Sequence, residues 1–206
     1  MEEFIMTENE IREPTQKRSI EKKEKIIKSG FELICEKGYH NTNTAEIAKA
    51  AGVSTGIVYQ YFNDKHDILL VGIKKYATSI FYPMLNVAQN TIIDPANINS
   101  ILNKMIMKFT KNHIMSQKAH EEITAMIHSD KEIAEFFREY EIYITNSIVK
   151  ILLNSGFRPD NLTERVHISL HLIDDLCHEI VYHKHEEINY NIMTDIVIKS
   201  VIDLLI

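Results

Sequence analysis

The sequence predicts an all-α protein of about nine helices, and three observations predict it. Only 6 Gly and 4 Pro occur in 206 residues, few breakers for a chain rich in turns. Apolar residues recur at helical spacing through most long segments. No convincing strand, internal repeat or low-complexity segment interrupts that pattern. With 45% apolar and 25% charged residues, the chain can bury a sizeable core.

Taken in order, residues 1–15 read as a polar, acidic tail. From Lys17 to Lys37, the residues Ile20, Ile26, Ile27, Phe31 and Leu33–Ile34 keep a helical period, and Gly38 stops the helix. Asn43-Thr-Ala-Glu46 reads as a capping box for a short helix from Thr44 to Ala51. Gly52 ends it, and Ser54 offers a fresh cap for a third helix reaching about Phe62. Asp64-Lys-His-Asp67 caps a fourth, running from about Lys65 to Gln89 with a kink or break expected at Pro83. Further helices are expected near Pro95–Asn112, Gln117–His128 and Asp130–Asn154. After the break at Ser155–Pro159, Asn161-Leu-Thr-Glu164 reads as another capping box, opening a helix to about Lys184. A last helix starts near Asn189.

Net charge is −6, but its distribution is uneven. From Arg12 to His66 there are ten Lys and Arg against seven Asp and Glu; the rest of the chain is acidic. Lys17, Arg18, Lys22, Lys23, Lys25 and Lys28 crowd the first helix. Such a run is ordinarily a solvated helix face and alternatively a phosphate-facing patch. Cys35 and Cys177 are too far apart to match a metal or redox spacing. No secretory leader and no apolar run of membrane-spanning length is seen, so the expectation is a cytoplasmic protein without a membrane partner.

Residues Thr44 to Phe62, TAEIAKAAGVSTGIVYQYF, have helix-turn-helix spacing. Ala48 stands four residues before Gly52, small enough for two helices to cross closely. Gly52 accepts the positive φ of a tight turn. Ile47, Val53 and Val58 would fill the space between the helices, with Phe31 and Ile34 closing it from behind. That leaves Ser54, Thr55, Gly56, Tyr59 and Gln60 facing outward, a surface suited to a major groove. Thr55 and Gln60 can bond base edges or phosphates, Tyr59 can reach sugar and phosphate, and Lys65 can clamp the backbone. An ordinary αα-hairpin is the plain alternative.

The longer pattern resembles the N-terminal DNA-binding domain of the TetR/AcrR family of transcriptional regulators. The residues that carry the resemblance are Gly38-Tyr39, Thr42, Ile47-Ala48, Ala51-Gly52-Val53-Ser54, Gly56, Tyr59, Tyr61-Phe62, Lys65 and Asp67 to Leu69. Asn43 and His66 depart from it, standing where Ser or Thr and Glu are common. The resemblance implies a homodimeric repressor that binds a roughly palindromic double-stranded operator and is released when a small-molecule effector binds; a DNA-binding regulator without a small-molecule ligand is the alternative. It places Thr42, Asn43 and Lys65 on phosphate and Ser54, Thr55, Gly56, Tyr59 and Gln60 in the reading helix. The domains expected are a tail at 1–15, a DNA-binding domain at 16–64 and a ligand-binding and dimerisation domain at 65–206.

Beyond about residue 75 the residues must speak for themselves. The middle helices are rich in Met and aromatic residues, which are mostly core and which also suit an adaptable pocket. Met105, Phe109, Met126, Tyr140, Tyr143, His171 and Asp174 are the candidate ligand contacts. His167, His171, Asp174 and His178 share one helical face, and a His pair at i and i+4 is metal-compatible. That face reads three ways: a polar-studded dimer seam, a polar floor for a ligand, or the centre of a metal-dependent helical enzyme built on His167, His171 and Asp174. The seam is favoured, since the resemblance places the dimer interface on the last two helices, about 161–206. Leu170, Ile173, Leu176, Cys177, Ile180 and Val181 would form it, with Ile192, Ile196, Val197, Val201 and Leu204. No Ser-His-Asp order, phosphate-binding glycine loop or H-E-x-x-H occurs, so neither catalytic residue nor cofactor is expected.

Overall fold

Short polar side chains set four of the helix starts. In the computed structural model, which describes residues 14, 16–89, 91–112, 115 and 117–206, Asn43 Oδ1 accepts from the Glu46 amide at 3.0 Å. Glu46 Oε2 accepts in return from the Asn43 amide at 3.3 Å, completing the capping box. Asp64 Oδ1 accepts from the amides of His66 and Asp67, Asp130 Oδ1 from those of Glu132 and Ile133, and Asn189 Oδ1 from those of Asn191 and Ile192.

Among the described residues the chain forms nine helices and no strand. They are α1 (Lys17–Lys37), α2 (Thr44–Ala51), α3 (Thr55–Val58), α4 (Lys65–Gln89), α5 (Ile98–Asn112), α6 (Gln117–Ser129), α7 (Lys131–Asn154), α8 (Leu162–Tyr182) and α9 (Tyr190–Leu205). The expected all-α class therefore stands. The acidic tail at 1–15 lies, apart from Pro14, outside the described residues.

Three local expectations differ from the structure. The third helix is a single turn. After Val58 the amides of Gln60 and Tyr61 bond back three residues, to Ile57 and Val58, so the coil tightens before Phe62. Helix α4 runs without a break across residue 83. Asn161 does not cap α8 through its side chain; it sits left-handed at φ 56° and gives only its carbonyl to the Arg165 amide.

The contacts define two compact units. The first takes residues up to Thr78 together with Met115–Ala134; the second takes Ser79–Ile114 and Glu135–Ile206. The sequence placed everything after residue 65 in one domain, whereas α6 groups with the amino-terminal helices. Two long-range tethers explain that: Lys118 Nζ donates to the Glu36 carbonyl at 2.5 Å, and the Tyr39 amide donates to Glu122 Oε1 at 2.6 Å.

In the first unit Ile26, Ile27, Ile47, Val58, Phe62 and Ile68 form the buried core. Helices α1 and α4 cross so closely that a Cβ on Gly30 would lie 2.4 Å from Ile68 Cγ2. Phe31, expected behind the helix-turn-helix core, instead lies against Gly72 and Tyr76.

In the second unit α5 packs with α8 and α9. Ile173, Leu176, Cys177 and Val201, expected at a dimer seam, are buried within the subunit. Ile192 and Ile196 do stay exposed, joined by Ile168. Both cysteines are buried free thiols, and burial pushes Cys35 up to about 12. No helix among the described residues is long and apolar enough to cross a membrane.

Candidate nucleic-acid interface

The helix-turn-helix is assembled from the turn outward. Gly52 has φ 68° and ψ 34°, the left-handed conformation that a side chain disfavours. Its amide bonds to the Lys49 carbonyl at 3.2 Å, and the Val53 amide bonds to that of Ala48 at 3.0 Å. Ala48 is buried at the crossing. The chain thus leaves α2 at a fixed angle and enters α3 with Ser54 in extended conformation. The Ser54 carbonyl accepts from the amides of Ile57 and Val58, while its hydroxyl makes no cap bond.

That geometry sorts the side chains of 54–62 by face. Val58 and Phe62 are buried in the core, and Val53, Ile57 and Tyr61 pack half-buried against it. Ser54, Thr55, Gly56, Tyr59 and Gln60 are exposed, with Tyr59 at 56%. The five residues expected in the reading surface therefore share one solvent-facing strip. It carries two hydroxyls, a carboxamide and a phenol, and no formal charge, a set that can donate to and accept from base edges and phosphate oxygens.

The three residues expected on phosphate are placed differently. Thr42 is only 2% exposed, and its hydroxyl donates to the Gly38 carbonyl at 2.9 Å. Asn43 is exposed, but its side-chain oxygen is occupied as the α2 cap. Lys65 Nζ donates to the Tyr39 carbonyl at 2.6 Å and the Thr42 carbonyl at 2.8 Å, and lies 4.3 Å from the centre of the Tyr39 ring. In this structure all three hold the α1–α2 turn.

Sequence reasoning did not single out the residues that anchor the same turn from α6. Glu122 receives the Tyr39 amide from 83 residues away, a separation that leaves no local sequence signal. His66, one of the two departures from the family pattern, sets Nε2 2.9 Å from Asp130 Oδ2 and Nδ1 3.8 Å from Glu132 Oε2. Burial pushes the Asp130 carboxyl up. The Ile133 and Glu132 amides and the His66 imidazole outweigh that and hold it below its ordinary value.

The basic run on α1 is partly neutralised. Lys28 lies 4.0 Å from Glu32, and Lys23 lies 6.0 Å from the Phe62 ring centre, while Lys17, Arg18 and Lys25 are exposed.

The candidate effector residues do not converge. Met126 is on α6, in the first unit. In the second unit Phe109 and Tyr140 both pack edge-on against Phe81, and Tyr140 stacks on Tyr143. Met105 lines an apolar cavity of about 40 Å³ with Ile101, Leu102, Ile173 and Val201. That is far below the several hundred Å³ a metabolite needs. A larger, open groove of about 430 Å³ lies between α5 and the α8–α9 pair, lined by Asn103, Met107, Thr110, Ile180, Thr194 and Asp195. Met107 there is 70% exposed.

The His/Asp face of α8 divides in two. Asp174 Oδ2 is 3.2 Å from His178 Nδ1, whereas His167 and His171 turn to Glu141 of α7. The trio His167, His171 and Asp174 expected of a metal enzyme is therefore not brought together.

Comparison with known proteins agrees with the amino-terminal geometry. The model of the bacterial regulatory proteins, tetR family, matches residues 26–71. The HTH-type transcriptional regulator HbdR of Aromatoleum sp. (strain CIB) is 46% identical over 54 residues, 26% of this chain and 24% of that protein. The fatty acid metabolism regulator protein of Bacillus subtilis (strain 168) is 49% identical over 45 residues, 22% of this chain and 23% of that protein. The matched segment thus spans about a quarter of each relative.

Solved structures are similar over nearly the whole chain. Salmonella enterica GusR superposes with a TM-score of 0.67 at 16% identity, covering 96% of this chain and 99% of that one. A TetR transcription regulator from Haloarcula marismortui gives 0.66 at 18% identity, covering 90% and 97%. At such identities the likeness concerns the fold. The helix-turn-helix geometry and the matched segment together identify residues 26–71 as a segment of the kind found in the bacterial regulatory proteins of the tetR family, carried on a chain that shares its fold with solved regulators.

Proposed function

We infer that this protein is a ligand-responsive, DNA-binding transcriptional regulator: a cytoplasmic homodimeric repressor that leaves a palindromic operator when a small molecule binds its second unit. The observation that carries the reading is the strip Ser54, Thr55, Gly56, Tyr59 and Gln60, polar and solvent-facing on a turn whose other side is core. A turn this short buries little, so its outward chemistry is explained best by a partner. In this reading Thr55 and Gln60 choose sequence, while Ser54, Gly56, Tyr59 and Asn43 meet the backbone. The exposed Lys17, Arg18 and Lys25 add charge attraction.

A homodimer through α8 and α9 is supported by Ile168, Ile192 and Ile196, each more than half exposed on those two helices. Two-fold symmetry then requires half-sites about 34–36 Å apart, or a multiple of that. Effector binding acts by favouring one of two dimer arrangements, with a coupling of about 1–3 kcal/mol. Helix α4 contributes residues to both units and is the natural carrier of that change. The open groove beside Met107 is large enough to admit an effector, and no catalytic activity is assigned.

The test is selection of duplexes from random DNA by the purified full chain, followed by binding to the enriched sequence. Enrichment of an inverted repeat is expected. Thr55→Ala and Gln60→Ala should each weaken binding by about 1–3 kcal/mol, roughly 5- to 150-fold, without changing thermal stability. Absence of any enriched sequence, or wild-type affinity in both variants, would overturn the reading.

A further inference from the structure

The geometry points to a second site, independent of DNA binding: Glu141, His167 and His171 form a binding site for a divalent transition-metal cation of the zinc class. His167 and His171 lie one turn apart on α8, and Glu141 and Thr145 one turn apart on α7. Both imidazoles turn Nε2 to the same carboxylate oxygen, Glu141 Oε1: His167 at 3.7 Å and His171 in hydrogen-bond contact. The three donor atoms lie within 4.8 Å of one another. The two rings meet edge to face, centroids 4.8 Å apart, so their nitrogens converge without stacking.

A second observation supplies an outer partner for the ring. Thr145 is 1% exposed, and its hydroxyl donates to the Glu141 carbonyl at 2.9 Å. The Thr145 oxygen also lies 3.1 Å from His167 Nδ1, placed to accept from that nitrogen when it carries the ring hydrogen. With the hydrogen on Nδ1, the neutral ring presents the Nε2 lone pair. That is the tautomer a metal ligand needs, held by an outer hydrogen bond of the kind that orients ligating histidines.

The donor set names the class of ion. Two imidazole nitrogens and one carboxylate suit zinc and its first-row neighbours, whereas magnesium and calcium prefer oxygen alone. All three side chains are reached by solvent, so water can complete a four-coordinate shell. The other close group of this kind, Asp64, His66 and Asp67, is already used in capping α4 and pairing with Asp130.

The test uses tag-free full-length protein stripped with a chelator. Zinc is titrated in competition with a chromophoric chelator, and cobalt is followed by visible absorption. One zinc per subunit is expected, with cobalt bands of four-coordinate intensity. His171→Ala, at a side chain 60% exposed, should remove both signals while leaving the circular dichroism unchanged. Glu141→Gln should weaken binding. Thr145→Val keeps all three ligands and should weaken zinc about 10- to 100-fold with a shift of the cobalt bands. Wild-type protein that binds no zinc, or His171→Ala protein that binds it with unchanged stoichiometry and affinity, overturns the assignment. Magnesium binding as tightly as zinc would do the same. None of these outcomes depends on whether the chain binds DNA.

Discussion

Lys65→Met separates two roles that the sequence alone leaves merged. The resemblance puts Lys65 on phosphate, whereas the structure has its ammonium on the carbonyls of Tyr39 and Thr42 at 2.6 and 2.8 Å. Hydrogen bonds from a charged donor contribute roughly 1.5–3 kcal/mol each, and partial exposure puts these at the lower end. Contact with the Tyr39 ring adds about 0.5–1 kcal/mol. After allowing for water that can reach the freed carbonyls, the expected loss is about 2–3 kcal/mol. For a chain of this size that lowers Tm by about 4–12 °C. A phosphate contact makes a different mark: removing it lowers the slope of log K against log salt by about 0.9. The assay is therefore paired, with a thermal melt of the free protein and operator binding by anisotropy between 50 and 300 mM salt. The structure requires a lowered Tm and an unchanged slope. An unchanged Tm with a slope reduced by about one would refute the bracing role and restore the phosphate contact.

Two further outcomes follow from the packing and the electrostatics. Gly30→Ala places a methyl 2.4 Å from Ile68 Cγ2 and 3.2 Å from Ile47 Cγ2, so chemical denaturation should show a loss of about 1–3 kcal/mol; a neutral result would mean that α1 and α4 separate at little cost. For His178, burial lowers the imidazole's basicity, but the hydrogen bond and charge of Asp174 outweigh it and hold the group above its ordinary value. A raised folded-state pKa stabilises fully below the unfolded value of about 6.5 and is lost as pH rises through the folded one. Asp174→Asn should thus destabilise at pH 5.5 and approach wild-type stability at high pH in urea titrations; a deficit that grows with pH would contradict the pairing.

Most helix boundaries were legible because their determinants are local. Asn43 with Glu46, Asp64 and Asn189 each act within three residues, and the glycine at 52 announces its own turn. The reading strip was legible for a related reason: once Val58 and Phe62 are assigned to the core, the helical period leaves the strip outside. Most of the failures are at a distance. Grouping α6 with the first unit depends on Glu122 and Lys118 reaching residues more than eighty positions away. Thr42 and Lys65 match the family pattern, but a pattern cannot say whether a polar group is already occupied by the chain's own turn. The His face of α8 showed its period and not its partner, because Glu141 comes from another helix. Asn161 misled because its side chain suits a cap while its backbone had already turned left-handed.

The solvent-facing strip on α3 has an evolutionary corollary. Its side chains are absent from the hydrophobic interior, and the α1–α2 turn of the same unit is clamped by residues elsewhere in the chain. On the proposed DNA-reading role, specificity is mechanically decoupled from folding. In that reading positions 55 and 60 can drift, or be exchanged with those of a relative, and retarget the protein while its scaffold stays untouched.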